Sequence, residues 1–582
     1  MRLLWQRMPP NARAVLGLAI RWYLAYVWLR FGIGKIQAGW LTSNLLKPLI
    51  ELVANGYTHA WLPVYALLSR AVLELRLDHV LAVAFPLTEL AIAAALMTGV
   101  FLRPALWLAI FINVNLVLSG LASWQIDGRI VGLELLVLAL GAAAQKRATG
   151  AKGAAQQREH VVIVGGGFAG MQAARALRSE PVDVTVIDRT NHHLFQPLLY
   201  QVATSIVAPS DIAVPIRTAL RGQPNATVLL ARVTNIHLEK RSVELDGGRR
   251  TLSYDFLIIA AGARHSYFGH EQWEAHAPGL KSLDDALEIR RRLLLAFERA
   301  ELTDDPEVRA MEQTIVIIGG GPTGVELAGA IPEMLHHTMP RDFRRVNTKR
   351  TRIILVERGE RLLPSMSAEL SARAQADLEA LGVEIRTGAV VTDVTHDAVV
   401  VGDERIPTRT VMWAAGTMAN PLGRLLNTPV DRAGRVRVAS DLSLPNDPNV
   451  FIVGDMAAVM SRGAAVPAVA TAANQMGHLA AANIVATIAG RPRTPFVYRD
   501  KGSLAIINRH AAVAQIGRLR IRGSLASALW GLVHLLHLVG HRNRWRVFAE
   551  WAYAHVTHDR GHRLITSTTE TTTSRAPQRA VA

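Results

Sequence analysis

A chain of 582 residues, half of them apolar, with 64 Lys and Arg against 47 Asp and Glu (a net charge of +17), holds more than one domain and favours anionic partners. It contains no cysteine, which excludes disulfide frameworks, thiolate metal sites, cysteine-bound iron–sulfur clusters and any CxxC redox pair. Redox chemistry would therefore need a bound cofactor; nothing resembles a nucleic-acid module, so lipid is the expected anionic partner.

Residues 1–147 are the oily part of the chain. Apolar runs at about 14–34, 80–101, 104–121 and 130–145 predict an all-α domain of four membrane helices, each near the roughly 17–25 residues that a bilayer needs. No A-x-A-like site follows the first run, so it is not read as a cleaved signal peptide. Arg2, Arg7 and Arg13 precede the helices, Arg103 stands at the second joint, and Lys146, Arg147, Lys152 and Arg158 follow. By the positive-inside rule both ends face the cytoplasm, which predicts a multi-pass protein of the cell (inner) membrane with everything after residue 150 inside. The stretch 57–76 reads as an extracytoplasmic loop or an interfacial helix. Arg21, Arg30, Glu89 and Glu134 fall within the predicted helices, where Arg–Glu pairing is the leading reading and a functional role the alternative. Asn113 and Asn115 read as interhelical glue. "GIGK" at Gly32–Lys35 and "TEL…GVFLR" from Thr88 to Arg103 resemble the DoxX family of small membrane proteins over about 130 residues. Members occur in quinone-linked and thiol-linked redox settings.

Residues 148–159, "ATGAKGAAQQRE", read as a linker. From residue 160 strands and helices alternate, which predicts a parallel α/β sheet. "HVVIVGGGFAGMQAARAL" is strand, glycine turn and helix, with Gly165, Gly167 and Gly170 at GxGxxG spacing and Asp188 ending the next strand. The glycines permit the tight turn, the close approach of a pyrophosphate and the packing of helix on strand; the acid takes a ribose hydroxyl. "TIVIIGGGPTGVELAGAI" repeats the design with Gly319, Gly321 and Gly324, and Glu357 as the acid. An acid there repels a 2′-phosphate and favours NADH, although Arg358 follows it directly.

Two loops imply two dinucleotides, one a fixed flavin and the other a diffusing nicotinamide. "YDFLIIAAGA" (Tyr254–Ala263) ends a strand at small residues, as flavoproteins do where the chain leaves the FAD domain, and "MWAAGT" (Met412–Thr417) echoes it on the return. "NVFIVGDMAAV" (Asn449–Val459) resembles the late flavoprotein motif whose aspartate, here Asp455, binds the ribityl–pyrophosphate region. The expected fold is a tandem Rossmann-like α/β flavoprotein behind the four-helix membrane domain. FAD occupies 160–312 and 413–502, NADH occupies 313–412, a membrane-associating region spans 503–566, and 567–582 is a low-complexity tail. Candidate FAD-side residues are Gly165, Gly167, Phe168, Ala169, Gly170, Asp188, Arg189, Gln196, Gln201, Val233, Ala261, Gly262 and Asp455. Candidate NADH-side residues are Gly319, Gly321, Pro322, Thr323, Gly324, Glu357 and Gly416. His192, His193, His336 and His337 form no ligand-like constellation, so no metal is expected.

The order FAD–NAD–FAD is that of the pyridine nucleotide–disulfide oxidoreductase superfamily; without cysteine, its disulfide reductases and sulfide:quinone oxidoreductases are excluded on chemistry. "NHHLFQPLLYQVATSIVAPSDIAVPIR" (Asn191–Arg217), "VERGERLLP" (Val356–Pro364), "YRDKGSLAIINRHAAVA" (Tyr498–Ala514) and "HRNRWRVFAEWAYAHVTHDRGHRLI" (His541–Ile565) resemble type II NADH:quinone oxidoreductases across nearly all of 160–566. The resemblance implies hydride transfer from NADH to FAD and two electrons onward to a membrane quinone, without proton pumping. It implies catalytic positions at Glu326, Gln475 and Lys501. Gln475 matches the second glutamine of the family's AQxxxQ motif, whereas the first is Thr471 here, a departure bearing on quinone contact. Family members often dimerise, which makes a second copy a candidate partner. A different electron acceptor, or a redox-sensing membrane flavoprotein with poor turnover, are the alternatives.

In "RGSLASALWGLVHLLHLVGH" (522–541), Leu525, Leu529, Leu532, Leu536 and Val539 recur at helical spacing between flanking arginines. The apolar core is short for a span, so an interfacial amphipathic helix is expected, with Trp551 and Tyr553 as interfacial aromatics.

Overall fold

The computed structural model describes residues 10–55, 64–98, 101–119, 121, 130–135, 137 and 158–565. They fall into two compact units, Met1–Gln156 and Gln157–Ala582.

The first unit contains helices α1 (Pro10–Gln37), α2 (Leu46–Ala54), α3 (Val64–Glu74), α4 (Asp78–Thr98) and α5 (Leu102–Leu118), and 130–135 and 137 are also helical. α3 takes up part of the stretch expected as a loop or interfacial helix. Among the described residues one helix, Asp78–Thr98, is long and apolar enough to cross a membrane, and Pro104–Leu118 is a shorter apolar helix. The end of the fourth expected helix, most of the expected linker and the C-terminal tail lie outside the described residues. Leu24, Trp28, Ile92, Leu96 and Leu106 form the core of this unit. α1 can lie close to α4 because Gly32 has no side chain: a Cβ there would stand 2.9 Å from Leu90 Cγ and 3.1 Å from the Pro86 carbonyl.

That contact corrects the expected Arg–Glu pairing. With Gly32 seated between Pro86 and Leu90, it is Lys35, nearly one turn on, that reaches Glu89, with Nζ 2.5 Å from Oε1. Arg30 is exposed instead. Glu134 accepts from Trp28 Nε1 at 2.9 Å and Asn113 Nδ2 at 3.2 Å. Asn115 accepts from Tyr65 Oη at 2.6 Å, tying α3 to α5. Both asparagines thus join segments, as their type and setting predicted.

The second unit is built on two parallel sheets. The first comprises β1 (Glu159–Val164), β2 (Val182–Asp188), β3 (Ala226–Leu230), β4 (Phe256–Ile259) and, from much later in the chain, β9 (Asp447–Ile452). The second comprises β5 (Thr314–Ile318), β6 (Arg352–Val356), β7 (Val383–Arg386) and β8 (Thr410–Trp413). The strand orders are β9-β4-β1-β2-β3, with Ser443–Leu444 antiparallel at the β9 edge, and β7-β6-β5-β8. "VVIV", "FLII" and "TIVII" are continuous apolar runs because both faces are covered, by helices and by small antiparallel sheets: Val316, Ile318, Ile354 and Val356 pack on Val394, Val399, Val401 and Ile406. β4 and β5 are buried along their length. The second sheet and its covering helix come from residues between β4 and β9, so it is an insertion into the first.

Each glycine turn leads into a helix, α6 (Phe168–Ala176) after β1 and α8 (Pro322–Glu333) after β5. Four further helices complete the site: α7 (Leu199–Ala203), α9 (Ala470–Ile488) and the C-terminal pair α10 (Ser524–His537) and α11 (His541–Thr557). The C-terminal pair follows an antiparallel sheet of β10 (Ser503–Asn508), β11 (Ala511–Ile516) and β12 (Leu519–Arg522).

Candidate active site

The two glycine turns are near copies in space. Gly165 N donates to Ile187 O at 2.8 Å, and Gly319 N to Val356 O at 2.7 Å. Both residues are left-handed, with φ of +109° and +113°, and a Cβ on either would run into the backbone of Ala260 or Ala414. A Cβ on Gly170 would stand 1.8 Å from Gly165 O, and one on Gly324 1.8 Å from Gly319 O. These four positions need glycine on steric grounds alone. Gly167 and Gly321 behave differently: a Cβ on either meets nothing within 4 Å. Their outer face is free space at a helix N-terminus, which is what a pyrophosphate would fill.

The acids stand where the motif requires. Asp188 Oδ2 accepts from Gly166 N at 2.6 Å, and Glu357 Oε2 from Gly320 N at 2.5 Å. Arg189 is exposed beside the first acid. Ala231 N donates to the Asp188 carbonyl at 2.9 Å, so the turn leading to Val233 lies beside that strand end. Phe168 stacks edge-on against His193 and Phe195, and Ala169 is buried under the loop. At α8, Pro322 and Thr323 form the first turn.

Asp455 comes from almost three hundred residues beyond the first loop yet lies against it. A Cβ on its neighbour Gly454 would be 3.4 Å from Ala169 Cβ, and α9 approaches so closely that a Cβ on Gly477 would be 2.1 Å from Ala169 O. The second loop has no such companion among the described residues. This asymmetry separates two otherwise equal cradles. The two crossings are tied by antiparallel pairing of Ala263–His265 with Thr417–Ala419, and Gly262 and Gly416, at φ of +70° and +68°, turn the chain at each. Asn420 N donates to Gly262 O at 3.0 Å, and Asn420 Nδ2 to Ala261 O at 3.4 Å.

Glu326 lies in α8 within two residues of the second loop and is 9% exposed. The cause is β10, which crosses the helix so tightly that a Cβ on Gly329 would be 1.7 Å from Ile507 O. Burial pushes the Glu326 carboxyl up to about 8, opposed in part by the Ile506 backbone N–H and the Trp530 indole. Trp530 Nε1 closes no hydrogen bond of ordinary geometry and stays a buried, unpartnered donor. The same helix face continues through Ala330 to Glu333. There a cavity of about 190 Å³ opens between α7, α8, β10 and the C-terminal helices, with Tyr200, Gln201, Glu333, Arg509, Trp530 and Arg560 among its walls. Arg560 donates to Thr204 O and Ala330 O at 3.0 Å and pairs with Glu333 at 3.3 Å, and burial lowers its guanidinium to about 10. Arg509 Nε meets Glu333 at 3.2 Å, while its Nη1 is buried without a partner.

Gln475 does not stand free. Its amide donates to Thr471 O at 3.2 Å and Arg499 O at 3.0 Å and accepts from Arg499 N at 3.0 Å, so it fixes the loop that carries Lys501. Lys501 is exposed. Thr471 Oγ1 lies 3.3 Å from Tyr498 Oη. Gln196 is exposed and donates to Lys281 O at 3.3 Å. Gln201 is buried in the cavity wall, donating to Tyr200 Oη at 2.9 Å and accepting from Trp551 Nε1 at 2.7 Å. His193 is buried with Nδ1 2.9 Å from Gly166 O, a packing residue. The wall formed by Glu333, Arg509, Trp530 and Arg560 went unread in the sequence; the one signal was the run of arginines and tryptophans in the C-terminal segment.

Residues 159–477 match the pyridine nucleotide-disulphide oxidoreductase family. The chain is 46% identical over 424 residues to the type II NADH:quinone oxidoreductase Ndh of Mycobacterium tuberculosis, covering 70% of this chain and 91% of that protein.

The chain belongs to the type II NADH:quinone oxidoreductase family.

A second relative, the type II NADH:quinone oxidoreductase NdhA of the same organism, is 43% identical over 426 residues, covering 70% of this chain and 90% of that protein. The fold of NDH2 from Plasmodium falciparum, solved in complex with NADH, superposes with a TM-score of 0.65 at 20% identity, covering 71% of this chain and all of that one. Nearly the whole of each of these type II relatives thus maps within one part of the chain. The chain has two glycine cradles, each with its acid, and the residues present fit two dinucleotides.

Proposed function

We propose that the protein is a membrane-bound, non-proton-pumping NADH:quinone oxidoreductase that uses FAD. One observation carries the assignment of cofactors: two pyrophosphate cradles built alike, of which one alone, among the described residues, has an aspartate delivered by the turn after the late strand β9. Gly165–Gly170, Asp188 and Asp455 would hold FAD, and Gly319–Gly324 and Glu357 would hold NADH. FAD supplies a two-electron carrier that takes hydride from NADH and delivers two electrons to a quinone, which also needs two protons.

The chain's own residues orient the reactants, exclude water and store a proton. Glu326 is neutral below about pH 8 and holds its proton in a site closed by β10 and Trp530. Trp530 and Arg509 line the cavity, and Trp530 Nε1 and Arg509 Nη1 are buried donors without a partner, the kind of group a quinone carbonyl would accept from. Gln475 holds the Lys501 loop in place. The experiment that tests this reading is steady-state NADH oxidation with a short-chain quinone analogue: turnover should depend strongly on quinone, and activity confined to a soluble protein acceptor would contradict it.

Attachment to lipid rests on the C-terminal helices. Leu525, Leu532 and Leu536 on α10 are 70%, 56% and 58% exposed, and Trp545 and Val556 on α11 are 73% and 79% exposed. Ala526 and Trp530 turn inward instead. An exposed apolar stripe flanked by arginines fits an interfacial foot on an anionic bilayer. The N-terminal unit would add a second, multi-pass attachment. Residues 158–582, released from the N-terminal unit, are expected to sediment with anionic liposomes and to lose most of that binding when Leu525, Leu532 and Leu536 are changed to Ser. A fragment that stays in the supernatant sinks the foot.

A further inference from the structure

Phe268 is a bulky residue in an unfavourable place. Its φ is +55°, left-handed, and its side chain is 64% exposed. That backbone conformation is a true outlier for an aromatic residue, and such strain persists only where the surroundings enforce it. Here they do: Phe268 N donates to Ser266 Oγ at 3.3 Å, Ser266 N to Gly416 O at 3.4 Å, and Trp413 Nε1 to Ser266 O at 2.9 Å. The neighbouring aromatics all find partners, with Tyr267 and Trp273 packed on Trp413 at 5.0 and 5.8 Å between centroids. Both are buried in the core of the second sheet. Phe268 meets Trp413 too, at 6.3 Å between centroids, but from the rim of that cluster, with most of its own ring left exposed.

The ring is turned out over Gly416. A Cβ on Gly416 would stand 2.5 Å from Phe268 Cζ, so glycine is required there for the ring to lie where it does. Gly416 follows Ala414 and Ala415, whose backbone atoms are 2.7 Å from the place of a Cβ on Gly319, the first glycine of the second loop. The ring therefore lies over the end of the segment, Ala414–Gly416, that backs the first glycine of the second loop. A phenyl face held at that spot offers a flat apolar surface to a nicotinamide dinucleotide.

We infer that Phe268 is a positioning residue that packs against the NADH bound at the second loop, with Gly416 kept side-chain-free to admit its ring; this rests on the reading of that loop as the NADH site. Phe268→Ala in the full-length, FAD-loaded protein should raise the NAD⁺ Kd measured by calorimetry, and the KM for NADH, by about fivefold. The kcat at saturation should stay within about twofold of wild type, as expected when uniform binding is removed. Phe268→Tyr should restore the affinity, and neither variant should lose FAD or shift Tm. Unchanged NAD⁺ affinity in Phe268→Ala overturns the inference. Loss of FAD from that variant, with NAD⁺ affinity unchanged in the molecules that retain it, places the ring at the flavin and also overturns it. If the wild-type holoenzyme itself fails to bind NAD⁺, the reading of the second loop falls and the inference falls with it.

Discussion

Gly170→Ala is expected to give a folded protein almost free of flavin, and Gly324→Ala a protein that keeps its flavin and no longer reduces it with NADH. In each case the added methyl would stand 1.8 Å from a backbone carbonyl, Gly165 O or Gly319 O, and the colliding atom belongs to a strand–turn–helix junction that has no side chain to swing aside. Relief requires the helix to lift from its strand, at a cost of about 1–3 kcal/mol for overpacking alone. It also draws the helix N-terminus away from the pyrophosphate. Flavin occupancy below about a tenth of wild type is expected for the first variant, and a loss of at least about 100-fold in kcat/KM for NADH for the second, since a lost pyrophosphate site removes several kcal/mol of binding at about 1.4 kcal/mol per decade. Flavin absorbance of the purified proteins and anaerobic reduction by NADH check both. The reverse pattern, with Gly324→Ala losing flavin and Gly170→Ala retaining it, would exchange the two loops.

Glu326→Gln should lower quinone-dependent turnover by about 100-fold, the usual scale of a single acid–base contribution. The amide copies the shape of the neutral acid but has no proton to release. The pH dependence follows from the direction of the shift. Burial raises the carboxyl from 4.5 to about 8, so the folded protein keeps a proton that the unfolded chain gives up above about 4.5. The proton-bearing form, and the activity that depends on it, are present below about pH 8 and lost above it. Stability moves the same way: it is undiminished below pH 4.5 and falls as pH rises towards 8, by about 5 kcal/mol in total. In Glu326→Gln that part of the pH dependence should vanish, leaving the variant more stable than wild type at pH 9. A variant with wild-type turnover and an unchanged alkaline decline would remove Glu326 from the mechanism.

What could be read in the sequence was what a short segment determines by itself. Strand, glycines, helix and acid lie within one strand–turn–helix–strand unit, and the steric need for Gly165, Gly170, Gly319 and Gly324 leaves a fixed spacing. The C-terminal stripe was legible for the same reason, since Leu525, Leu532 and Leu536 share one face of a single helix. The rest depends on contacts between distant segments. Glu326 looks like an ordinary helix-start acid until β10, about 180 residues later, presses Ile507 against Gly329. Gln201, expected towards the flavin, has its carbonyl taken by Trp551 Nε1, a partner 350 residues away. Arg560 reaches Thr204 and Ala330, which no periodicity connects. In the first unit, hydropathy located the charges but could not choose their partners; Gly32 on Pro86 and Leu90 decided for Lys35.

The central claim is that two dinucleotide sites pass electrons from NADH to a quinone through one bound flavin, and anaerobic stopped-flow absorbance at the flavin band tests it most directly. Mixing the purified full-length protein with one equivalent of NADH should bleach the flavin, and a second mix with a short-chain quinone should restore it at a rate no slower than steady-state turnover. A flavin that NADH does not bleach, or that stays reduced in the presence of quinone and recovers only with another acceptor, would contradict the account.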